Sequence, residues 1–257
     1  LTVPEVVHEA EAGNVKVLYV FGENPAVSDP DSTHVKKALE KSFLIVQDLF
    51  LTETAEFADV VLPAASFAEK DGTFSNTERR VQRIRKAVNS PGEAKTDWEI
   101  IAEIMNRLGY EANYNSAEEI FNEIREVTPS YAGITYDRID KVGIQWPCPN
   151  EEHPGTKFLH VGKPARGKGL FSPVEFVESP ELECDEYPLV LTTGRILYQY
   201  HTTTMTGKTD GINEMASEHY VEINSKLAAA KGIKDGDKVK ISSRRGSVIT
   251  KAVVTDI

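Results

Sequence analysis

Cysteine is nearly absent from this sequence, with 2 residues in a chain of 257. Cys148 and Cys184 form no C-x-x-C pair, and the nearby His153 and His160 do not complete the spacing of a zinc site. So few cysteines exclude a disulfide framework. We therefore expect no metal-ligating residue and two reduced thiols, as is usual in a cytoplasmic protein.

Long apolar runs and an excess of positive charge are missing too. No stretch reaches the roughly 18 apolar residues that cross a membrane, and no signal peptide opens the chain, so we expect no membrane segment. The 29 basic and 40 acidic side chains give a formal net charge of −11. That balance excludes a general nucleic-acid binder, which needs a basic surface, but it permits a local basic pocket for an anionic small molecule.

The N-terminal part of the sequence contains a series of apolar runs that alternate with amphipathic segments. The runs lie at 15–22, 43–50 and 59–65, and helices are predicted from Thr33, as an N-cap, and over 52–58. Runs without polar alternation are typical of parallel strands that helices cover on both faces. The sequence therefore predicts an α/β fold, with a doubly wound αβα domain of the dinucleotide-binding type over residues 1–145.

Two later helices have clear start signals. Thr96 with Glu99 forms a capping box, and Ser116 with Glu119 opens a second helix. The first of these helices carries an apolar stripe that we expect to pack on the sheet, made of Trp98, Ile101, Ile104, Met105 and Leu108.

From Pro147 onward the amino-acid composition of the sequence changes. Seven of the 13 prolines fall between Pro147 and Pro188, which predicts an extended Pro/Gly-rich connector over 146–186. Residues 187–257 then contain short strand patterns, "YPLVLTTG", "HYVEI" and "KVKISSRRGSVITKAVVTDI", with one helix in "NSKLAAAKG". Short strands with a single small helix predict a compact β-barrel.

Ligands of open parallel sheets lie beyond the carboxyl ends of the strands, where three loops begin, at 22–31, 47–54 and 63–73. Gly22 lets a ligand approach the backbone, and Asn24 offers an amide. Asp48 can accept two N–H groups, and Lys70 can reach a phosphate. In the alternative interpretation, four other charged residues of the third loop and its continuation do not bind a ligand and only pair with one another at the rim of the loop. These residues are Glu69, Asp71, Glu78 and Arg79.

A second polar segment, "LTTGRILYQYHTTTMTG", occupies 191–207. Its strand end exposes hydroxyl and backbone N–H groups, Arg195 adds a fork of donors, and His201 adds an ionisable ring. A structural role is the alternative for a lone histidine. The run Thr202, Thr203 and Thr204 favours a ligand site lined with hydroxyl groups.

At these residues the chain resembles the C-terminal part of the catalytic (alpha) subunit of molybdenum- or tungsten-dependent formate dehydrogenases. These enzymes belong to the dimethyl-sulfoxide-reductase family, whose cofactor is bis-molybdopterin guanine dinucleotide. The resemblance rests on "GENPAVSDPD", "VQDLFLTETAEFADVVLPAASFAEKDGTFSNTERRVQ", "PGEAKTDWEI" and "LTTGRILYQYHTTTMTG", and it extends over nearly the whole chain.

The resemblance implies which residues bind the cofactor. In the family, one pterin guanine dinucleotide is held at positions that match Asn24, Gln47, Asp48, Lys70 and Asp97 of this chain. Gly22 adds a backbone that a ligand can approach. The segment expected to contact the bis-pterin system is Thr193, Gly194, Arg195, Ile196, Leu197, Tyr198, Gln199, Tyr200, His201 and Thr202. The domain that carries this segment is expected to be a double-psi β-barrel.

The resemblance also implies what is missing. The family's Cys-rich motif for a 4Fe-4S cluster and its metal-ligating cysteine or selenocysteine beside a histidine do not occur here. We therefore expect a fragment with no catalytic residue, truncated in the barrel and inactive alone. Its partners would be the N-terminal half of the alpha subunit and electron-transfer subunits with iron–sulfur clusters, and the substrate pair would be formate and CO2.

Two alternatives remain open. A nitrate reductase of the same cofactor family would have the same binding residues, because these serve the cofactor and not the substrate. A non-catalytic module, as in the large subunit of NADH:quinone oxidoreductase, keeps the fold without the pterin. The presence of Lys70, Asp97 and "TTGR" favours retained binding.

Overall fold

The three apolar runs predicted as strands form one sheet in the order β1-β2-β3, with β1 at Val17–Phe21, β2 at Phe43–Asp48 and β3 at Val60–Pro63. β1 and β2 are parallel, with Val17 opposite Phe43, which confirms the predicted parallel pairing. The computed structural model describes residues 1–164, 166–179, 181–216 and 218–256. Helices α1 (Val3–Glu11), α2 (Pro25–Ser28) and α3 (Ser32–Lys41) accompany this sheet.

Among the described residues, side chains cover one face of the parallel sheet. Alternate side chains of β1 and β2 pack with α2, α3 and the turn at Ala55–Phe57 into a cluster of Ala26, Val35, Leu39, Leu44, Val46 and Ala55. On the opposite face, Val17 is 55% exposed, and Tyr19, Phe21 and Phe43 are exposed as well. Parallel sheets are usually covered on both faces. The second helix layer of the predicted αβα arrangement therefore stays a prediction.

Two local predictions around this sheet were wrong. Helix α3 begins at Ser32 with Asp31 as its N-cap, whose carboxylate accepts a hydrogen bond from the His34 N–H at 3.4 Å. An aspartate two positions upstream thus takes the place predicted for Thr33. The helix predicted over 52–58 is only a 3-10 turn at Ala55–Phe57, closed by i to i+3 hydrogen bonds.

The middle of the chain forms a second sheet and two helices. Strands β4 (Gly72–Ser75), β5 (Arg80–Ile84) and β6 (Ile144–Gln145) are antiparallel in that order, followed along the chain after β5 by α4 (Asp97–Arg107) and α5 (Ala117–Val127). Their core consists of Val81, Phe121, Ile134, Tyr136, Ile139 and Cys148. This antiparallel sheet was not among the predicted elements.

The predicted starts of α4 and α5 are confirmed. The Glu99 carboxylate accepts from the Thr96 N–H at 2.9 Å, and the Ser116 hydroxyl accepts from the Glu119 N–H at 3.2 Å. The prediction for the apolar stripe of α4 was wrong in part. Leu108 is 81% exposed and Ile101 is exposed too, because the helix turns Ile100 and Ala102 inward instead.

The last part of the chain holds one short helix, α6 (Asp210–Met215), and a mixed sheet. Its strands β7 (Tyr220–Asn224), β8 (Lys238–Ser242) and β9 (Ser247–Thr255) lie in the order β7-β9-β8, with helix α7 (Ser225–Lys231) between β7 and β8 in sequence. Residues 181–205, all described, contain no helix or strand, so the strand predicted in "YPLVLTTG" was wrong. The double-psi barrel stays a prediction.

The chain divides into two compact units. The first joins Leu1–Val61 with Val177–Ile257, and the second is Leu62–Phe176. Trp146 and Cys148 pack in the core of the second unit, although the connector had been predicted to begin there. The predicted domain boundaries at 145 and 187 stay predictions.

Within 1–164, 166–179, 181–216 and 218–256, no helix is long and apolar enough to cross a membrane. Within the same ranges, no three His, Cys, Asp or Glu side chains are grouped so that they could hold a metal ion.

Candidate functional site

The backbone at the end of β1 is open to a ligand. Gly22 follows the strand with φ +62, a conformation that L side chains rarely adopt, and no atom lies within 4 Å of the place where a Cβ would be. Its N–H donates to the Gln47 carbonyl at 2.9 Å. The close approach that the sequence predicted at Gly22 is therefore sterically possible.

The two polar residues at the end of β2 differ in exposure. Gln47 is fully buried, and its side-chain oxygen accepts a hydrogen bond from the Tyr19 hydroxyl. Asp48 is partly exposed, and its carboxylate accepts from the N–H of Leu49 at 2.6 Å. Of the two, Asp48 is the residue that a ligand outside the sheet can reach without repacking of the strand.

Asn24 joins the loop after β1 to the loop after β2. Its side-chain oxygen accepts hydrogen bonds from the Thr54 N–H at 3.1 Å and the Thr54 hydroxyl at 2.8 Å. Its amide nitrogen donates to the Glu53 carboxylate at 2.8 Å and to the Thr204 hydroxyl at 3.1 Å. Asn24 is only 4% exposed. The amide is therefore engaged with protein groups on every side.

The predicted segment 193–202 is irregular and mostly exposed. Thr193, Gly194, Arg195, Leu197, Tyr198, Tyr200 and His201 are exposed, whereas Ile196, Gln199 and Thr202 are half-buried. Gln199 is held by the carbonyl of Ala216 at 2.7 Å and by the Thr206 hydroxyl at 2.6 Å. The rings of Tyr200 and His201 meet edge to face at 4.5 Å. Most of the segment thus presents donors and hydroxyl groups to the outside.

Lys70 and Asp97 form an ion pair in the second unit. Lys70 follows the 3-10 turn at Phe67–Glu69, and Asp97 is the first residue of α4. Their side chains are 20% and 24% exposed, so the pair is accessible from one side. Lys70 points its charge to a helix start, where backbone N–H groups also favour an anion.

The four charged residues of the 69–80 stretch that the rim alternative named have partners within the protein, but their hydrogen bonds and ion pairs go to other residues and not, as that alternative had proposed, to one another. The Glu69 carboxylate accepts from the Ser66 N–H at 2.9 Å, and Glu78 pairs with Arg80 at 2.6 Å. The Asp71 carboxylate accepts from the Lys86 N–H at 3.4 Å. The Arg79 guanidinium donates to backbone carbonyls of Trp146, Thr156 and Lys157. Of the charges in this stretch, that of Lys70 forms a partly exposed ion pair at the start of α4.

Sequence reasoning missed two residues that connect the loops after β1 and β2, Glu53 and Thr54, and it did not foresee the contact of Thr204 with Asn24. Glu53 and Thr54 lie in the predicted loop after β2, but nothing in their local pattern singled them out. Thr204 belongs to the threonine run that had been noted, and its partner Asn24 is distant in sequence. Only the folded chain shows that these side chains meet.

Glu53 provides a test of this network by pH. The hydrogen bond from Asn24 is the main cause that lowers the pKa of Glu53, helped by its own backbone N–H and by the charges of Lys208 and Lys36. A lowered pKa stabilises the fold above the ordinary value of 4.5, and this contribution disappears as pH falls through the lowered value. We expect the difference in unfolding free energy between wild type and Glu53→Gln to shrink below that pH. Chemical denaturation across a pH series measures it, and a difference that is constant with pH would contradict the assignment.

The predicted residues thus fall into two groups. Gly22, Asn24, Gln47, Asp48 and the segment 193–202 belong to the first unit, while Lys70 and Asp97 belong to the second. In the first unit, an open glycine backbone and exposed hydroxyl groups suit a ligand that carries phosphates and polar ring edges, and in the second unit a partly exposed lysine suits a phosphate. Each of these groups is chemically suited to a pterin dinucleotide.

Comparison with known proteins gives two family matches. The family described as "Molybdopterin oxidoreductase" matches residues 1–107, and the one described as "Molydopterin dinucleotide binding domain" matches residues 189–257. Together these matches span more than half of the chain. They include every residue predicted to bind the cofactor.

Curated relatives match the chain over its whole length. It is 56% identical to the F420-dependent formate dehydrogenase subunit alpha of Methanocaldococcus jannaschii, over 100% of this chain and 39% of that protein. It is 39% identical to formate dehydrogenase H of Escherichia coli, over 99% of this chain and 36% of that protein. It is also 39% identical to the assimilatory nitrate reductase catalytic subunit of Bacillus subtilis, over 98% of this chain and 37% of that protein.

The chain therefore spans less than two fifths of the length of these relatives. Among solved structures, acetylene hydratase from Pelobacter acetylenicus has a TM-score of 0.72 at 19% identity, over 97% of this chain and 37% of that one. This likeness shows the fold. With two matching family descriptions and relatives that align with it from end to end, the chain belongs to the molybdopterin oxidoreductase family.

Proposed function

We propose that this chain is the cofactor-binding C-terminal portion of a formate dehydrogenase alpha subunit, which oxidises formate to CO2 or runs the reverse reaction. The observation that carries the proposal is the 56% identity to a formate dehydrogenase alpha subunit across 100% of the chain. The exposed polar groups at the strand ends and the Lys70–Asp97 pair support a binding role.

The cofactor in this proposal is bis-molybdopterin guanine dinucleotide with molybdenum or tungsten. When bound, it supplies the metal centre at which the substrate gives up or takes up two electrons. The residues of this chain bind and orient it. Lys70 neutralises phosphate charge, Asp48 and Asp97 accept N–H groups of a ring edge, and Gly22 allows close approach.

The segment 193–202 adds backbone N–H groups, the hydroxyls of its threonines and tyrosines, and the Arg195 fork, all suited to the oxygen-rich pterin system. Gln47 is buried and supports β2 and the adjacent Asp48. In this proposal the 187–257 region belongs to a double-psi barrel, and residues 1–145 to the αβα domain. In this proposal the residues of this chain position the cofactor and balance its charge, so none of them is assigned a catalytic role.

The remaining parts of the proposed enzyme lie outside these residues. They comprise the N-terminal half of the alpha subunit with its 4Fe-4S cluster and metal ligand, and electron-transfer subunits with iron–sulfur clusters. The name of the Methanocaldococcus jannaschii relative, a "subunit alpha", supports such an assembly. We place the enzyme in the cytoplasm.

Nitrate reduction is the second candidate. The Bacillus subtilis nitrate reductase subunit is as similar, at 39% identity, as the Escherichia coli formate dehydrogenase. At that level of identity, the similarity reflects the shared cofactor and does not distinguish formate from nitrate as the substrate. The 56% match to a formate dehydrogenase favours formate.

The function is tested on the complete enzyme that contains this chain. We expect formate-dependent reduction of a viologen dye, and no nitrate-dependent oxidation of the reduced dye. The 257-residue chain alone should give neither reaction, because the metal ligand is proposed to lie outside it. Nitrate turnover without formate oxidation would favour the second candidate. Formate turnover by the purified chain alone would disprove the assignment of the metal ligand to another part of the enzyme.

A further inference from the structure

We propose that one face of the β7-β9-β8 sheet is a docking surface for an acidic segment of another polypeptide. This basic face consists of Lys238 and Lys240 on β8, Lys251 and Ile249 on β9, and Tyr220 on β7. All five residues are exposed. The inference goes beyond the proposed function, because it concerns a protein partner and neither the cofactor nor the substrate.

Positive charge is concentrated in this part of an otherwise acidic chain. Residues 225–251 contain 8 basic and 2 acidic side chains, a net charge of +6, whereas the whole chain carries −11. Both acidic side chains are bound to backbone N–H groups: Asp235 accepts from Val254 at 2.9 Å and Asp237 from Lys234 at 2.8 Å. A surface region with an excess of one sign of charge attracts groups of the opposite sign.

The strand register brings the three lysines to the same face of the sheet. β8 and β9 are antiparallel, with Lys238 directly opposite Lys251 and Lys240 opposite Ile249. β7 and β9 are parallel, with Tyr220 opposite Lys251. Like charges directly opposite each other on adjacent strands are destabilising. An anionic partner would relieve this repulsion, so the arrangement that disfavours the free protein favours binding.

Protection of the sheet edge explains only part of this arrangement. Lysines on an edge strand hinder pairing with strands of other chains, and β8 lies at an edge of the described sheet. That accounts for Lys238 and Lys240. Lys251, however, lies on β9, the central strand, where no edge needs protection. Its position opposite Lys238 is therefore explained by docking and not by edge protection.

The three lysines have no carboxylate partner among the described residues. The ion pairs of this stretch are formed instead by Arg244 and Arg245, both with Glu181. Glu222 shares the basic face but lies opposite Val253, and it forms no ion pair within the described chain. On these strands, three positive charges therefore stand against one negative charge, and the ammonium groups are available to a partner.

The basic face suits an extended acidic polypeptide better than a phosphate group. Alternate side chains of a strand are about 7 Å apart, which is also the spacing of alternate acidic side chains in an extended partner. Tyr220 and Ile249 are 46% and 71% exposed and add apolar surface beside the lysines. Tyrosine and exposed apolar area are typical of protein interfaces, whereas a phosphate gains nothing from them. The occupant we propose is therefore an acidic polypeptide.

Binding of fluorescein-labelled octaglutamate to the complete enzyme, measured by fluorescence anisotropy, tests the proposal. In Lys251→Glu the dissociation constant should rise by about fivefold or more, because repulsion replaces an attraction between exposed charges. The same variant places opposite charges across from each other on β8 and β9, so its resistance to urea should equal or exceed that of wild type. Weaker binding without loss of stability distinguishes docking from a purely structural role.

Lys226→Glu is the matched control, because Lys226 is also exposed but lies in the first turn of α7 and not on the sheet. It makes the same change in net charge and should leave the dissociation constant unchanged. Lys251→Arg keeps the positive charge and should bind the probe as wild type does. Equal weakening in Lys226→Glu and Lys251→Glu would show attraction by net charge alone and would overturn the proposal.

A subunit that already covers the basic face in the complete enzyme would exclude the probe. Carbodiimide coupling, which joins lysine amines to carboxylates in contact with them, then detects the partner. Products that link Lys238, Lys240 or Lys251 to an acidic residue of another subunit support the proposal. Products that link them only to the rest of the alpha subunit overturn it, as does the absence of both coupling and Lys251-dependent probe binding.

A labelled octathymidylate distinguishes a polypeptide from a nucleic acid as the occupant. We expect it to bind more weakly than octaglutamate, because it offers phosphates on a different spacing. Tighter binding of the oligonucleotide, lost in Lys251→Glu, would assign the face to phosphates and overturn the proposal. Formate turnover is not a readout of any of these experiments, so its absence would contradict the proposed function alone.

Discussion

Replacement of Lys70 with alanine is expected to lower the molybdenum or tungsten content and the pterin content of the complete enzyme by about tenfold or more. One charge-assisted hydrogen bond is worth about 1.5–3 kcal/mol, and about 1.4 kcal/mol corresponds to a factor of ten in affinity. The variant also leaves the Asp97 carboxylate without its ion-pair partner. Loss of the Lys70 charge leaves the negative charge of Asp97 less compensated, which further disfavours an anionic ligand.

Lys95→Ala is the control for this experiment. Lys95 pairs with Glu103 at 2.7 Å, lies in the same unit just before α4, and has a side chain that is 54% exposed. Exposed ion pairs contribute little to stability, so this variant should keep its cofactor. Metal analysis and pterin fluorescence give the two contents. Full occupancy in Lys70→Ala would refute the assignment of Lys70 to the cofactor.

The second large effect is expected at Gly133. A Cβ built on this residue would lie 1.9 Å from the Asn150 carbonyl oxygen and 2.3 Å from its carbonyl carbon. Both are backbone atoms, and the neighbouring chain is held close by the hydrogen bond from the Gly133 N–H to the Cys148 carbonyl at 2.8 Å. Gly133→Ala should therefore lower the unfolding free energy by about 3 kcal/mol or more, at or beyond the usual range for overpacking.

Gly169 provides the comparison, because no atom lies within 4 Å of the place of its Cβ and its φ is not positive. Gly169→Ala should change the unfolding free energy by less than about 1 kcal/mol, and in the stabilising direction if anything. Urea denaturation of the two variants measures the difference. Equal stabilities would mean that residues 130–134 and 148–150 are not packed against each other as described.

Patterns that depend on nearby residues were predicted well from the sequence. The apolar runs at β1, β2 and β3 and the caps at Thr96 and Ser116 follow from local physical chemistry, and the structure confirms them. The cap at Asp31 was assigned to Thr33 because both residue types are good caps at that point of the chain.

Features that depend on the surroundings were predicted less well. The strand expected in "YPLVLTTG" has the right composition, but in the described chain no neighbouring strand pairs with it. The exposure of Leu108 likewise follows from the side of α4 that faces the core, which a helical period alone does not decide.

The same difference between local and long-range features applies to the candidate site. Lys70 and Gly22 could be singled out from residue type and from their place after predicted strands. The place of Asp97 rested on the resemblance, and its ion pair with Lys70 joins two separate stretches of sequence. The contact between Asn24 and Thr204 crosses most of the chain and has no local pattern. Long-range pairs of this kind are decided by the fold.

The division into two units also determines what a spectroscopic experiment reports. The chain has two tryptophans, Trp98 and Trp146, and both belong to the unit Leu62–Phe176. The ring of Trp146 is stacked on that of Tyr131, with 6.1 Å between the ring centres. The Arg79 guanidinium lies 5.6 Å from the centre of the Trp146 ring. Tryptophan emission therefore follows the unfolding of that unit alone, while far-ultraviolet circular dichroism follows both. A denaturation curve that differs between the two signals would show directly that the units unfold separately.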